Sequence, residues 1–212
     1  MKLYTFFRSS AAFRARIALN LKGVTFESVP KVFARQEHRT EEYLEVNPQG
    51  LIPALDVDGA VISQSLAIIE YLDDTHPTPP FLPSDPLGRA RVRSMAQAIA
   101  CDIHPLNNLR VLNYLRGTFK QDEHAVNTWY RHWITEGFRG LEVEARRYSS
   151  AQRYLYADSV SMADICFLPQ LFNARRFETD LSPFPTLVAI GAHLESQPAF
   201  AAARPEVQPD AT

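Results

Sequence analysis

Pro77, Pro79, Pro80, Pro83 and Pro86 crowd one ten-residue stretch, and this constrains the fold more than any other feature of the chain. Each proline fixes φ and lacks a backbone N–H, so the segment can be neither helix nor central strand and reads as a stiff linker. The pattern before it differs from the pattern after it. With 212 residues there is room for two small domains, and the boundary falls here, giving residues 1–80 and 85–212.

The first part alternates strands with helices. A β-rich run around Leu3, Thr5 and Phe7 gives way at Ala11 to helical spacing through Phe13, Ile17 and Leu21, ended by Gly23. A second strand over Thr25 to Val29 completes a βαβ unit, and a short helix follows over Thr40 to Val46. Asp58-Gly59 between two apolar runs is a strong hairpin signal, and Ser65 is the expected N-cap of the next helix. Beyond the linker the period is helical throughout. Asp85 caps the first helix with Pro86 at its first position. That helix is expected to run to Gly117 with a bend at Pro105. In the next, Val126, Trp129, Trp133, Ile134, Phe138 and Leu141 form a core face, and Ser161-x-x-Asp164 reads as a capping box for a third.

Composition narrows the function. The net charge of -2 comes from interspersed acids and bases, so no basic stripe is available for nucleic acid. No apolar run reaches the roughly 18 residues of a membrane span, which with the lack of a leader-like start predicts a cytoplasmic protein. The two cysteines, Cys101 and Cys166, lie in apolar helical stretches and are expected to be buried thiols; the six histidines are scattered, so no metal site is expected. The hydrolase nucleophile elbow, the phosphate loop, the zincin motif and the dinucleotide fingerprint are all absent.

Three places remain for chemistry. The turn Arg8-Ser9-Ser10-Ala11 enters the first helix, where a hydroxyl either caps or helps to hold an anion at the positive end of the helix dipole; Arg14 and Arg16 follow. Ile52-Pro53 precedes the third strand, where a cis peptide would turn the preceding backbone outward to pair with an extended peptide. Gln64-Ser65 opens the next helix and offers an amide and a hydroxyl, as a plain cap or as an α-carboxylate site.

The order βαβ, Ile-Pro, hairpin, Gln-Ser helix, proline linker and helical domain resembles the cytosolic glutathione transferases over the whole chain. Arg8 to Leu19 resembles the zeta-class signature, as do Gln64 to Leu72 and Asn173 to Phe177, while Cys101 to Asn108 is similar to bacterial maleylacetoacetate and maleylpyruvate isomerases. The resemblance implies an α/β thioredoxin-like domain followed by an all-α domain that completes the substrate pocket. It implies glutathione as cofactor, contacted by His38, Gln49, Ile52, Pro53, Gln64, Ser65, His104 and Asn108. Asp102 would come from the second subunit of a homodimer. Ser9 and Ser10 would serve the thiol, and Arg8, Arg110 and Arg176 a small dicarboxylate. The implied activity is cis–trans isomerisation of a maleyl-type substrate to its fumaryl isomer; the alternatives are a general transferase and a non-catalytic glutathione-binding protein. Ala11 stands where the signature has Cys, which removes the protein thiol that reductive dehalogenation needs and leaves isomerisation untouched, because glutathione is itself the nucleophile.

Overall fold

The computed structural model describes residues 1–211. By its contacts the chain divides into two units, one of Met1–Phe81 together with the segment from Ser196 onward, the other Leu82–Glu195.

In the first unit, β1 (Lys2–Thr5) leads through a turn into α1 (Ser10–Leu21), and β2 (Glu27–Pro30) returns parallel to β1. The short α2 (Glu41–Val46) is capped by Thr40. Then β3 (Ala54–Val57) and β4 (Ala60–Ser63) form an antiparallel hairpin, and α3 (Ser65–Thr75) follows. The sheet order is β2-β1-β3-β4, with β3 antiparallel to β1. Asp58 and Gly59 both take positive φ, 53° and 92°, the geometry of a two-residue turn that matches strand twist. Helix α1 is buried from Ser10 to Leu19, which its small alanines permit. It stops where Gly23 enters the left-handed region at φ 64°.

The end of α1 is tied to the linker. The Lys22 side chain has no exposure; its ammonium donates to Asp73 Oδ1 (2.8 Å) and to the Pro79 carbonyl (2.5 Å), and lies 3.9 Å from the Phe81 ring centroid. Asp73 also accepts the Phe81 N–H at 2.8 Å. The segment from Ser196, including α9 (Pro198–Ala201), packs on the same unit. There Asn20 donates to the Ala199 carbonyl (3.0 Å) and Arg16 to that of Ala203 (3.1 Å). Residues 85–212 were all expected in the helical domain; the difference arises because a helical period does not reveal which core its apolar face will join.

In the second unit, Asp85 caps α4 (Pro86–Gln97) by accepting the Gly88 N–H at 2.7 Å. The long helix expected to reach Gly117 is broken rather than bent. It widens into a π-helical turn over Ala98–Ile103, leaves helical form, and restarts as α5 (Leu109–Gly117). Pro105 in the gap has no N–H to continue the helix, and two asparagines fix the restart: Asn107 donates to the Tyr130 carbonyl (3.0 Å), and Asn108 caps α5 by accepting the Arg110 N–H (3.1 Å). The π turn changes the register of the face, and Cys101 emerges exposed, against the expectation that it is buried, while Cys166 is buried.

On α6 (Glu123–Tyr148) the buried face is Val126, Tyr130, Ile134, Phe138, Leu141 and Ala145. Trp129 and Trp133 are half-buried on its flank, so the expectation that both belong to the core is corrected: Tyr130 takes that row, and the Trp129 indole leaves it to donate to the Leu106 carbonyl (2.9 Å). The core is built around α7 (Met162–Arg176), buried on nearly every side, with α8 (Pro185–Glu195) beside it. Among the described residues no helix is long and apolar enough to cross a membrane.

Candidate active site

Ser9 is the N-cap of α1, its Oγ accepting the Ala12 N–H at 3.2 Å. That bond uses a lone pair and leaves the hydroxyl proton to donate. Ser10 is the first helical residue and is buried. Arg8 is exposed, its guanidinium 5.0 Å from the Phe7 ring centroid. Arg14 and Arg16 are both 1% exposed, so they contribute from beneath the turn rather than from its surface. Arg14 donates to Ser65 Oγ at 3.4 Å, linking the starts of α1 and α3. Burial lowers the Arg16 pKa to about 10, with Asp210 acting in the opposite direction, so it stays charged at neutral pH.

The Ile52–Pro53 bond is cis, and both residues are buried at the entry to β3. Just before it, the Leu51 carbonyl accepts from the Tyr43 hydroxyl and the Asn47 amide, each at 2.7 Å. The cap of α3 is Gln64, not the expected Ser65, which is instead the first helical residue. Gln64 sits at φ 73°, ψ 121°, a region that favours glycine and costs a side-chain-bearing residue roughly 1–3 kcal/mol. Its side chain makes no capping bond and instead donates to Gln49 Oε1 at 2.8 Å. The first N–H groups of α3 therefore have no side-chain cap, the arrangement that receives a carboxylate. Arg39 donates to the Gln49 carbonyl (3.4 Å), and a Cβ on Gly50 would fall 3.0 Å from the His38 carbonyl oxygen. The His38 ring stacks on Phe33 at 4.2 Å; burial first, then Arg39, lowers its pKa, so it is neutral at pH 7. Its Nδ1 is buried with no protein partner.

The structure thus brings His38, Gln49, Gln64 and Ser65 to one side of the first unit. Sequence reasoning missed two supports. One is Arg39, and the other is the bond from Arg14 to Ser65, for which an arginine inside an otherwise small and apolar helix is the available signal.

In the second unit, Asp102 is exposed at the π turn and His104 is half-buried just after it, its N–H bonded to the Ile99 carbonyl (2.9 Å). Gly137 lets this turn approach α6: a Cβ there would lie 2.2 Å from Ile103 Cδ1. Asn108 spends its side-chain oxygen on α5, and Arg110 is exposed on that first turn. Arg176 is exposed at the end of α7, its guanidinium 4.7 Å from the Phe177 ring centroid. Phe177 in turn stacks on Tyr130 at 3.6 Å. Burial pushes the Tyr130 hydroxyl up to about 12, against the nearby positive charge of Arg176. Among the described residues no group of three His, Cys, Asp or Glu could hold a metal.

Together these residues offer a helix start with a donating hydroxyl, a second with uncapped N–H groups over a buried arginine, and an unpartnered imidazole nitrogen, an arrangement suited to anionic groups. Residues 1–74 match the family described as the glutathione S-transferase N-terminal domain. A maleylpyruvate isomerase of Ralstonia sp is 46% identical over 210 residues, covering 99% of both chains. The holo structure of a bacterial maleyl pyruvate isomerase of the zeta class superposes with a TM-score of 0.98 at 45% identity over all of both chains. A maleylacetoacetate isomerase of Anaeromyxobacter dehalogenans, solved with dicarboxyethyl glutathione and citrate in its active site, gives a TM-score of 0.87 at 36% identity, covering 100% of this chain and 97% of that one. Kinship over the full length, on a fold whose α1 and α3 starts are arranged in this way, makes the chain a member of the zeta-class glutathione transferases, the family of the maleylpyruvate and maleylacetoacetate isomerases.

Proposed function

We propose that this chain is a glutathione-dependent isomerase that converts a maleyl-type dicarboxylate, maleylpyruvate or maleylacetoacetate, to its fumaryl isomer. The observation that carries the reading is Ser9, a cap hydroxyl with its proton to give, at the start of a buried helix in a chain of this family. When bound, glutathione supplies a thiolate nucleophile that adds reversibly to the cis double bond, so that the bond rotates before elimination regenerates it as trans.

The protein's part is to hold the tripeptide and lower the thiol pKa. Gln64, Ser65 and the open N–H groups of α3 receive the γ-glutamyl carboxylate, Ile52 beside Pro53 pairs with the cysteinyl backbone, and His38 and Gln49 lie at the glycyl end. His104 and Asn108 serve the same ligand from the helical unit. Asp102 of a second copy meets the γ-glutamyl amine, which makes the working form a homodimer. A free thiol titrates near about 8.5. A charge-assisted bond from Ser9 at about 1.5–3 kcal/mol and the helix terminus at about 0.3–1 together lower it by about one to three units. Arg8 and Arg176, with Arg110, bind the substrate carboxylates and stabilise the enolate charge that develops on the carbonyl side. The place of action proposed is the cytoplasm, where glutathione is kept reduced.

The test is turnover with maleylpyruvate or maleylacetone in the presence of substoichiometric glutathione. Complete conversion to the fumaryl isomer with the thiol titre unchanged is expected. Loss of one glutathione per turnover would refute the cofactor role, and glutathione binding without turnover would establish a binding module instead.

A further inference from the structure

The turn that leads into Ser9 is held by two side chains, one of them more than two hundred residues away in the chain. The Phe6 carbonyl accepts from Arg16 Nη1 (3.4 Å) and from the Ser9 N–H (3.0 Å). The Phe7 carbonyl accepts from Arg16 Nη2 (3.0 Å). Between them the Phe7 N–H donates to Asp210 Oδ2 at 2.9 Å. Every backbone polar group from the Phe6 carbonyl to the Phe7 carbonyl is thereby fixed. Arg16 also donates to Thr5 Oγ1 (3.1 Å) and to the Ala203 carbonyl (3.1 Å), so the end of β1, the turn and the last segment share one buried guanidinium. Asp210 supplies the opposing charge.

A hydroxyl stabilises a thiolate only within hydrogen-bonding distance and direction, and misplacement by about 1 Å can cost on the order of a hundredfold. Ser9 lies two residues beyond the Asp210 contact, and its own cap bond to Ala12 fixes it to the helix but not to the sheet. We propose that Asp210, acting with Arg16, is a positioning residue for Ser9, so that the last segment of the chain sets where the Ser9 hydroxyl points. This rests on the reading of Ser9 as the thiol's partner.

Charge and position act with opposite signs, which makes the proposal testable. Removing the Asp210 carboxylate takes a negative charge away from the neighbourhood of a thiolate, and by field alone this lowers the thiol pKa. Loosening the turn raises it. The measurement is the pKa of enzyme-bound glutathione, followed through thiolate absorbance, with glutathione affinity and Tm recorded for each variant. Ser9→Ala is expected to raise that pKa by about one to two units. Asp210→Ala is expected to raise it by about a third to a half as much, a roughly two- to tenfold loss of thiolate at neutral pH. Asp210→Asn keeps an acceptor for the Phe7 N–H and should leave the pKa unchanged or slightly lower. Asn20→Ala loosens the same segment at Ala199 without touching the turn, and should lower Tm while leaving the pKa in place. If Ser9→Ala raises the pKa and Asp210→Ala does not, the positioning role is overturned and the reading of Ser9 survives. If Ser9→Ala has no effect, that reading falls and takes the proposal with it.

Discussion

Asp164 carries the start of α7, and its replacement should unfold the second unit at a markedly lower temperature. The carboxylate has no exposure and accepts three bonds, from Leu155 N–H (2.7 Å), Ser161 N–H (2.8 Å) and Ser161 Oγ (2.7 Å). Asp164→Ala leaves two buried backbone donors unpaired at about 1–3 kcal/mol each, partly offset by removing a buried charge, so a net loss of about 3 kcal/mol is expected. For a chain of this size that is a fall in Tm of about 6–12 °C. The pH dependence supplies a second reading. Burial raises the pKa from its ordinary 3.8 to about 6, and the three bonds only partly counter it. A group raised on folding stabilises fully below its unfolded pKa and loses that contribution as pH rises through the folded one. Wild type should therefore lose stability from this group between about pH 4 and pH 6. Asp164→Asn cannot ionise, and its amide turns a donor towards one of the N–H groups, so it carries a constant penalty. Its deficit against wild type should shrink as pH rises from 4.5 to 7.5, measured by thermal unfolding at matched scan rates. A deficit that grows over that range would refute the claim that burial outweighs the hydrogen bonds.

Ser9→Ala should cost more isomerase activity than Ser10→Ala, with a displaced pH–rate profile; a larger displacement from Ser10→Ala would identify the other hydroxyl as the thiol's partner. Arg176→Ala and Arg8→Ala should each lower kcat/KM for dicarboxylates by about ten- to a hundredfold while sparing glutathione affinity, with Arg176→Lys recovering only part. Phe177→Leu, which removes the ring under the Arg176 guanidinium, should weaken a dicarboxylate product analogue in wild type but not in the Arg176→Ala background. Gly137→Ala should destabilise by about 1–3 kcal/mol through overpacking against Ile103, and Ile103→Val should restore part of the loss, read by chemical denaturation.

Local signals in the sequence foretold the elements well where one residue decides the geometry. Asp58-Gly59, the Asp85 cap with Pro86, Gly23 and the Ser161/Asp164 box each act within four residues, and each stands where the sequence places it. Two of the failures trace to competition from distant partners. Past the break in the long helix Asn107 finds the Tyr130 carbonyl on another helix, and Trp129 leaves the core row for the Leu106 carbonyl. At the site, residue types and order pointed to the first-unit cluster, but not to the amide bridge between Gln49 and Gln64 nor to the strained Gln64 backbone, because side-chain pairing across fifteen residues leaves no periodic trace.

The return of the last segment to the first unit bears on the order of folding during synthesis. That unit draws on both ends of the chain, with the helical unit inserted between Phe81 and Ser196. When residues 1–81 have emerged from the ribosome, the Arg16 guanidinium lacks the Ala203 carbonyl and its Asp210 counter-charge, and the face of α1 that α9 covers is bare. Contacts spanning 187 and 203 residues close last, after the whole inserted unit has been made. The nascent sheet therefore waits with an incompletely paired buried charge and an open apolar helix face. Nicking or truncation near the final residues should leave the helical unit folded while exposing the first unit to aggregation.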